Sequence, residues 1–309
     1  MFCMVLATLA EVLKKANKEN YAVGAFNTNN LETTRSIIDA AEAQEAPVIL
    51  QTSPGAFNYA DFDYIATLCH KAAQKADVPV VLHLDHGTDL KLVKKCVEFG
   101  YTSIMFDGSH YSFDKNVELT KEAVKIAKEK GVSVEGELGT IGGAEDNVRS
   151  REILLTDPKK AVEFVDKTGI DALAIAIGTS HGAYKFTHAE QQLNIRRLST
   201  IKQETKMPLV LHGASVVPKE IVELAQSFGA VLGGMQGVEE KELKRAVKNG
   251  INKVNTDTDL RLAFTAALRQ TLMKNPREFD PRKILKPSTQ LMQKVIEERI
   301  RLLGSSGKA

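Results

Sequence analysis

Three histidines, His86, His181 and His212, each stand directly before a glycine in this chain of 309 residues. Three neutral imidazoles and one open position make a common catalytic zinc arrangement. A glycine beside each permits a tight turn and close backbone approach to a ligand. Asp85 immediately precedes His86 and is a candidate general acid/base, or else a group that orients the ring. Asp107 and Glu137 are candidates to orient ligands or to hold a second metal position. Glu145 and Asp146 follow paired glycines in Gly139-Thr140-Ile141-Gly142-Gly143-Ala144, which reads as a mobile loop carrying a base over a substrate, or as a solvated acidic loop. Of the other histidines, His83 reads as an interior hydrogen-bonded ring, His110 as a rim residue, and His70 and His188 as helix or surface residues.

These residues need elements that bring them together across more than a hundred positions. Strand patterns run at Tyr21–Asn27, Pro47–Thr52, Pro79–Leu84, Thr102–Asp107, Val132–Leu138, Ala172–Gly178, Pro208–Leu211 and Ile251–Asn255. Between them lie helical patterns at Leu31–Gln44, Tyr64–Lys75, Lys91–Phe99, Asn116–Lys130, Pro158–Thr168, Ala189–Thr205 and Pro218–Phe228. Glu240–Lys248 is an extra helix before the last strand, and Thr258–Met273 is the eighth barrel helix. A leading helix, Leu9–Lys18, and a final one, Thr289–Leu302, flank the whole, and the tail Gly304–Ala309 reads as flexible. Eight strand–helix alternations, with strands apolar on both faces such as Pro79-Val80-Val81-Leu82, predict an α/β fold. Its expected form is a single-domain (β/α)8 TIM barrel over residues 1–309, with an extra N-terminal helix and a C-terminal helical extension. An open dinucleotide-binding sheet would need GxGxxG after the first strand, and Gly24-Ala25-Phe26-Asn27-Thr28 does not supply it.

In such a barrel the carboxyl ends of all strands meet on one rim. Asn27, Ser53, Asp85-His86, Asp107, Glu137, His181, His212 and Asn255 all fall at or just past strand ends and so converge. Loops after strands seven and eight often bind phosphate through backbone N–H groups and hydroxyls. Gly182, Gly213, Ser215 and Asn255–Thr258 are placed for that, and a helix starting near Thr258 turns its positive end to the anion. Lys185, Arg261 and Arg282 are further cationic candidates, with plain surface charge as the alternative for each.

Composition narrows the partners. With 41 basic and 39 acidic residues the formal charge is +2, which offers no basic field for nucleic acid. No apolar run is long enough to span a bilayer, and Met1–Ala10 lacks the basic flank and cleavage site of a signal peptide. Cys3, Cys69 and Cys96 show no CxxC spacing. Cys69 and Cys96 sit in helical patterns as buried small hydrophobes, and a reducing cytoplasm is the simplest location.

Five ordered motifs carry a resemblance. They are His83-Leu84-Asp85-His86-Gly87, Glu135-Gly136-Glu137-Leu138-Gly139, Gly178-Thr179-Ser180-His181-Gly182-Ala183-Tyr184-Lys185, Leu211-His212-Gly213-Ala214-Ser215 and Asn255-Thr256-Asp257-Thr258-Asp259. Together they resemble the class II, metal-dependent fructose-1,6-bisphosphate aldolases over nearly the whole chain. Phe279-Asp280-Pro281-Arg282-Lys283 and the Gly-Ser-Ser-Gly-Lys ending resemble one branch of that family. The resemblance implies reversible cleavage of fructose 1,6-bisphosphate to dihydroxyacetone phosphate and glyceraldehyde 3-phosphate through a zinc-stabilised enediolate. It makes His86, His181 and His212 the Zn2+ ligands, with Glu137 an auxiliary ligand of a more buried position and Asp107 near it. Asp85 exchanges a proton at the C4 oxygen, Glu145 is the loop base, and Asn255 and Asp257 hold the enediolate. Gly182, Gly213, Ser215 and Thr258 cradle one phosphate, with Na+ or K+ beside it. Asn27, Ser53, Arg261 and Arg282 line the remaining path, Arg282 from a neighbouring subunit of a homodimer or homotetramer. Some relatives carry a carboxylate where this chain has Ala144, which leaves Asp146 as a rival base.

Four other readings compete. Tagatose 1,6-bisphosphate, the C4 epimer, fits the same motifs. A Schiff-base aldolase needs a desolvated strand lysine, and the predicted strand interiors offer none well placed. A metal-dependent hydrolase would want an HxH pair on the first strand, which is missing. A non-catalytic binding protein would make the rim residues replaceable.

Overall fold

The structure, a computed structural model, describes residues 6–145, 148–150, 154–181 and 192–309. The chain opens with α1 (Leu9–Glu19), β1 (Val23–Asn27), α2 (Leu31–Ala43), β2 (Val48–Thr52), α3 (Pro54–Ala60), α4 (Phe62–Lys75), β3 (Val80–Gly87) and α5 (Leu90–Phe99). It continues through β4 (Ser103–Phe106), α6 (Phe113–Lys128), β5 (Ser133–Leu138), β6 (Gly142–Glu145), β7 (Val148–Ser150), α7 (Pro158–Thr168), β8 (Ala172–Ile175) and β9 (Ser180–His181). It ends with α8 (Ile195–Thr205), β10 (Leu209–Leu211), α9 (Lys219–Ser227), α10 (Glu240–Lys248), β11 (Ile251–Thr256), α11 (Thr258–Lys274) and α12 (Pro281–Leu303).

Eight parallel strands close in the order β1-β11-β10-β8-β5-β4-β3-β2, the (β/α)8 barrel that the alternation predicts. Side chains along a strand alternate between faces, so each strand sorts its residues by parity. One set packs outward with the helices: Phe26, Leu50, Leu82, Ile104, Val134, Leu173, Leu211 and Val254 belong to one core. The other set turns inward: Val23, Ala25, Ile49, Val81, Ala172, Ala174 and Val210 form a second core. That inner core is plugged at the amino end by Leu9, Val12, Leu13 and Ala16 of α1. Thr8 and Glu11 fix the start of α1 through a capping box, which sets the plug in place. The interior turns polar above this layer, with Gln51, His83, Ser103, Glu135 and Lys253 all buried.

Four expectations are corrected. First, α3 was not anticipated. Ser53 caps it, accepting from Ala56 N at 3.3 Å, and Pro54 starts it, but seven residues are too few to show a helical period. Second, the paired-glycine segment holds a strand, not an irregular loop. β6 pairs antiparallel with β7 and parallel with β9, in a sheet outside the barrel. His181 accordingly lies on β9 and not on an extension of β8, which stops at Ile175.

Third, α12 begins at Pro281 and runs through Pro287, eight residues before the expected start. A proline removes one helical hydrogen bond and usually ends a helix. Here the hydroxyl of Ser288 donates to Phe264 O of α11 at 3.0 Å, and that of Ser36 on α2 donates to Thr289 O at 3.0 Å. Tertiary contacts thus hold the helix across the break. Fourth, the tail is docked. Gly304 caps α12 in the left-handed region, Ser305 is buried, and Gly307 N and Ala309 N donate to Gln44 O and Glu45 O at 2.8 and 2.9 Å. Among the described residues no helix is long and apolar enough to cross a membrane. Cys69 and Cys96 are buried as expected, and Cys3 lies outside the described residues.

Candidate active site

Asp85 and His86 are neighbours, so a regular strand would send them to opposite faces. The β3–β4 register shifts between Leu84 and Gly87, and His86 takes φ 47°. Such a bulge re-aims side chains, and a non-glycine residue in the left-handed region is a strained backbone that its surroundings must hold. The consequence is that both side chains are buried at the barrel mouth. Asp85 is gripped on both oxygens. Asn27 Nδ2 donates to Oδ2 at 2.8 Å and Asn255 Nδ2 to Oδ1 at 2.9 Å. Gln51 Nε2 in turn donates to Asn27 Oδ1 at 2.7 Å, which fixes the orientation of that amide. Burial alone would raise the Asp85 pKa, but His86, Lys253 and His212 and the Asn27 hydrogen bond together hold it below the ordinary carboxylate range.

The predicted metal ligands can be followed one at a time. The His86 and His212 rings lie 4.6 Å apart between centroids. His86 Nδ1 donates to Asp107 Oδ2 at 2.8 Å. Burial pulls the His86 pKa down, yet Asp85, Asp107 and Glu137 outweigh it and raise it to about 10. His212 Nε2 donates to Glu135 Oε1 at 2.9 Å, and its Nδ1 lies 3.1 Å from Glu137 Oε2. Of His181 and Glu145 the structure describes only the backbone. Their side chains, together with Asp146, Gly182, Lys185 and His188, lie outside the described residues. The backbone still places these segments. Gly143 pairs with His181, and a Cβ on Gly213 would sit 2.6 Å from Ser180 O, so the β9 backbone abuts the β10 loop.

Whether a cation fits can be judged from the donors. Asp85, His86 and His212 offer ligand atoms within 4.8 Å of one another, and so do His86, Asp107 and Glu137. Among the described residues Asp85, Asp107, Glu135 and Glu137 are all buried, and their basic partners are Lys253 and the rings of His86 and His212. Buried carboxylates are costly without compensating positive charge. Imidazole and carboxylate donors together suit zinc and its first-row neighbours, so the residues fit a divalent ion.

The phosphate candidates are only partly gathered. Ser215 is buried on the loop after β10, and Asp257 and Thr258 are buried where β11 passes into α11. Arg261 pairs with Asp257 one turn away, Nη2 to Oδ2 at 2.6 Å and Nε to Oδ1 at 2.9 Å. Asn27, Asp257 and Arg261 line an open cleft of about 260 Å³ shared with Asn30, Tyr59 and Phe264. Arg282 does not line that cleft; it is paired with Asp280 at 2.8 Å and its side chain is 90% exposed.

Comparison with known proteins gives this mouth its setting. The family profile described as fructose-bisphosphate aldolase class-II matches residues 7–308. The chain is 47% identical to the fructose-bisphosphate aldolase of Thermus caldophilus, over 99% of this chain and 100% of that one. The chain belongs to the class II fructose-bisphosphate aldolase family. It is also 44% identical to the fructose-bisphosphate aldolase of Giardia intestinalis, over 99% of this chain and 95% of that one. Among solved structures it is similar to the YdjI aldolase from Escherichia coli K12, with TM-score 0.79 and 30% identity over 98% and 99% of the two chains.

For a class II family member the barrel interior holds a surprise at Lys253. No well-placed strand lysine is expected from residue types, yet Lys253 is fully buried inside the barrel on β11. Its Nζ lies 2.8 Å from Glu135 Oε2 and 3.5 Å from His83 Nε2. It lies outside the open cleft, and its ion pair with Glu135 leaves no uncommitted amine to attack a carbonyl. Parity with Asn255, two residues on, was the signal that would have turned it inward. Glu135 joins Lys253 to His212 and lies below the ordinary carboxylate range. Burial alone would raise it, and Lys253, His212 and His83 outweigh burial. His83 is the interior ring expected, bonded to Ser103 Oγ at 2.8 Å. His110 is exposed on the loop after β4 and stacks on Tyr111.

Proposed function

We propose that this chain works as one catalytic domain that cleaves fructose 1,6-bisphosphate reversibly to dihydroxyacetone phosphate and glyceraldehyde 3-phosphate. Zn2+ is held by His86, His181 and His212, with Glu137 and Asp107 serving a second, more buried position. The observation that carries this reading is Asp85, a buried carboxylate clasped by two amides directly beside two imidazoles. The names of the relatives support the fructose epimer over tagatose.

In the cleavage direction Asp85 accepts the proton of the C4 hydroxyl as the C3–C4 bond breaks. In condensation it returns that proton to the new C4 oxygen. Asn27 and Asn255 keep its two oxygens in place, so little reorganisation accompanies the transfer. Among the described residues Asn255 Oδ1 is buried without a hydrogen-bond partner, an acceptor ready for a substrate hydroxyl. Glu145, with Asp146 as its rival, removes the carbon-bound proton of dihydroxyacetone phosphate. When bound, the metal supplies Lewis acidity toward substrate oxygens and stabilises the negative charge that cleavage leaves. Gly182, Lys185, Gly213, Ser215 and Thr258 bind one phosphate with Na+ or K+ nearby. Asn255 and Asp257 hold the enediolate and its surroundings, and Asn27, Ser53 and Arg261 line the rest of the substrate path. Arg282, turned to solvent in its own subunit, serves a neighbour in a homodimer or homotetramer. The balanced charge and the absence of a membrane-crossing helix among the described residues agree with work in the cytoplasm on small phosphorylated sugars.

A coupled assay of triose phosphate release tests the reading. Turnover on fructose 1,6-bisphosphate is expected to exceed that on tagatose 1,6-bisphosphate. It is expected to vanish after exhaustive chelation and to return with zinc. Equal rates on the two epimers would remove the stated specificity, and chelator-resistant turnover would remove the metal.

A further inference from the structure

Asp259 is fully buried on the first turn of α11, yet no step of the reaction uses it. Its Oδ1 accepts from Val217 N at 2.8 Å and its Oδ2 from Val216 N at 3.2 Å. Both amides belong to the loop after β10, the loop that carries Gly213 and Ser215. Arg299 of α12 closes the arrangement, with Nε donating to Asp259 Oδ2 at 3.1 Å and Nη1 donating to Glu240 Oε1 at 3.4 Å. Arg299 is itself buried.

The loop is held in a conformation that it would not keep alone. Val217 has φ 55°, a left-handed backbone that a β-branched side chain disfavours. Such strain persists only where the surroundings over-determine it, typically at ligand clamps. From the other side Val238 N donates to Ser215 O at 3.0 Å. There Gly237 passes so close that a Cβ would fall 2.2 Å from the Val216 carbonyl carbon.

We infer that Asp259 is a positioning residue for phosphate binding. It belongs to the α11 turn that begins at Thr258 and grips the loop that carries Ser215, so one carboxylate sets the distance between the two halves of the phosphate cradle. Arg299 neutralises that carboxylate, which would otherwise repel the anion it helps to seat. The inference rests on assigning phosphate binding to these two segments.

The two ideas predict opposite signs. Simple electrostatics says that Asp259→Asn, by removing a negative charge, tightens phosphate binding. Positioning says that it weakens it, because the Asn amide faces the Val216 and Arg299 donors with hydrogens of its own. The expected result for the zinc-loaded enzyme is a KM for fructose 1,6-bisphosphate raised about tenfold, within the ~100-fold that a 1 Å misplacement can cost. Affinity for inorganic phosphate falls in parallel, while kcat and metal content stay near wild type. Ser215→Ala is the control for the cradle itself. If it raises KM and folded Asp259→Asn does not, the positioning role is overturned. If neither changes KM, the phosphate assignment falls and the positioning role with it.

Hydrogen exchange on the wild-type holoenzyme needs no variant, should Asp259→Asn fail to fold. The Val216 and Val217 amides are expected to exchange slowly even without inorganic phosphate. Exchange at the rate of an open loop would overturn the inference.

Discussion

Asp85→Ala is expected to lower kcat about 100- to 10,000-fold, the usual contribution of one proton-transfer group, while the protein keeps its metal. At ~1.4 kcal/mol per tenfold, that loss corresponds to about 3–5 kcal/mol of transition-state stabilisation. The substitution removes an acceptor shared by Asn27 and Asn255 and leaves their two N–H groups facing the mouth. The His86 ring keeps its bond to Asp107, and the His212 ring keeps its bond to Glu135. Neither imidazole therefore loses the partner that orients it, which is why metal content should survive. Single-turnover kinetics with elemental analysis of the same sample separates the two effects. Turnover within threefold of wild type, or metal lost together with turnover, would refute the proton-transfer role.

His212→Ala is expected to do the reverse and empty the metal site. The ring is fully buried and stands between Glu135 and Glu137. Without it both carboxylates keep their burial and lose a compensating partner, and opening a buried pair in this way typically costs ~3–5 kcal/mol. The expected protein holds less than a tenth of the wild-type metal after dialysis, has no measurable turnover, and melts at a lower temperature. The contrast between the two variants is diagnostic. Asp85→Ala gives a loaded but idle enzyme, and His212→Ala an empty one. Full metal occupancy in a folded His212→Ala protein would remove that histidine from the ligand set.

Much of this was legible in the chain itself because it is local or periodic. Strands that alternate with helices declare a barrel, and a barrel brings strand ends together whatever their separation in sequence. Asp85, His86, Asp107, Glu137, His212 and Asn255 were found by that logic. What escaped depends on partners distant in the chain. Lys253 sits inside an ordinary-looking strand, and only its pairing with Glu135, more than a hundred positions earlier, makes its burial tolerable. The Asp85-His86 bulge cannot be read from residue types, since it arises from register with β4. Helix α12 crosses Pro287 because α2 and α11 hold it, and the tail is ordered because Gln44 and Glu45 receive it. The small β6–β7–β9 sheet was missed because paired glycines carry no alternation. Asp259 was one letter of a motif until Val216, Val217 and Arg299 closed around it.

Crystals of the zinc-loaded protein, measured at and below the zinc absorption edge, put the metal site itself to the question. The main anomalous peak is expected between the rings of His86 and His212, in contact with both and with His181. A main peak in contact with neither ring, or fully loaded crystals whose two rings bind nothing, would contradict it.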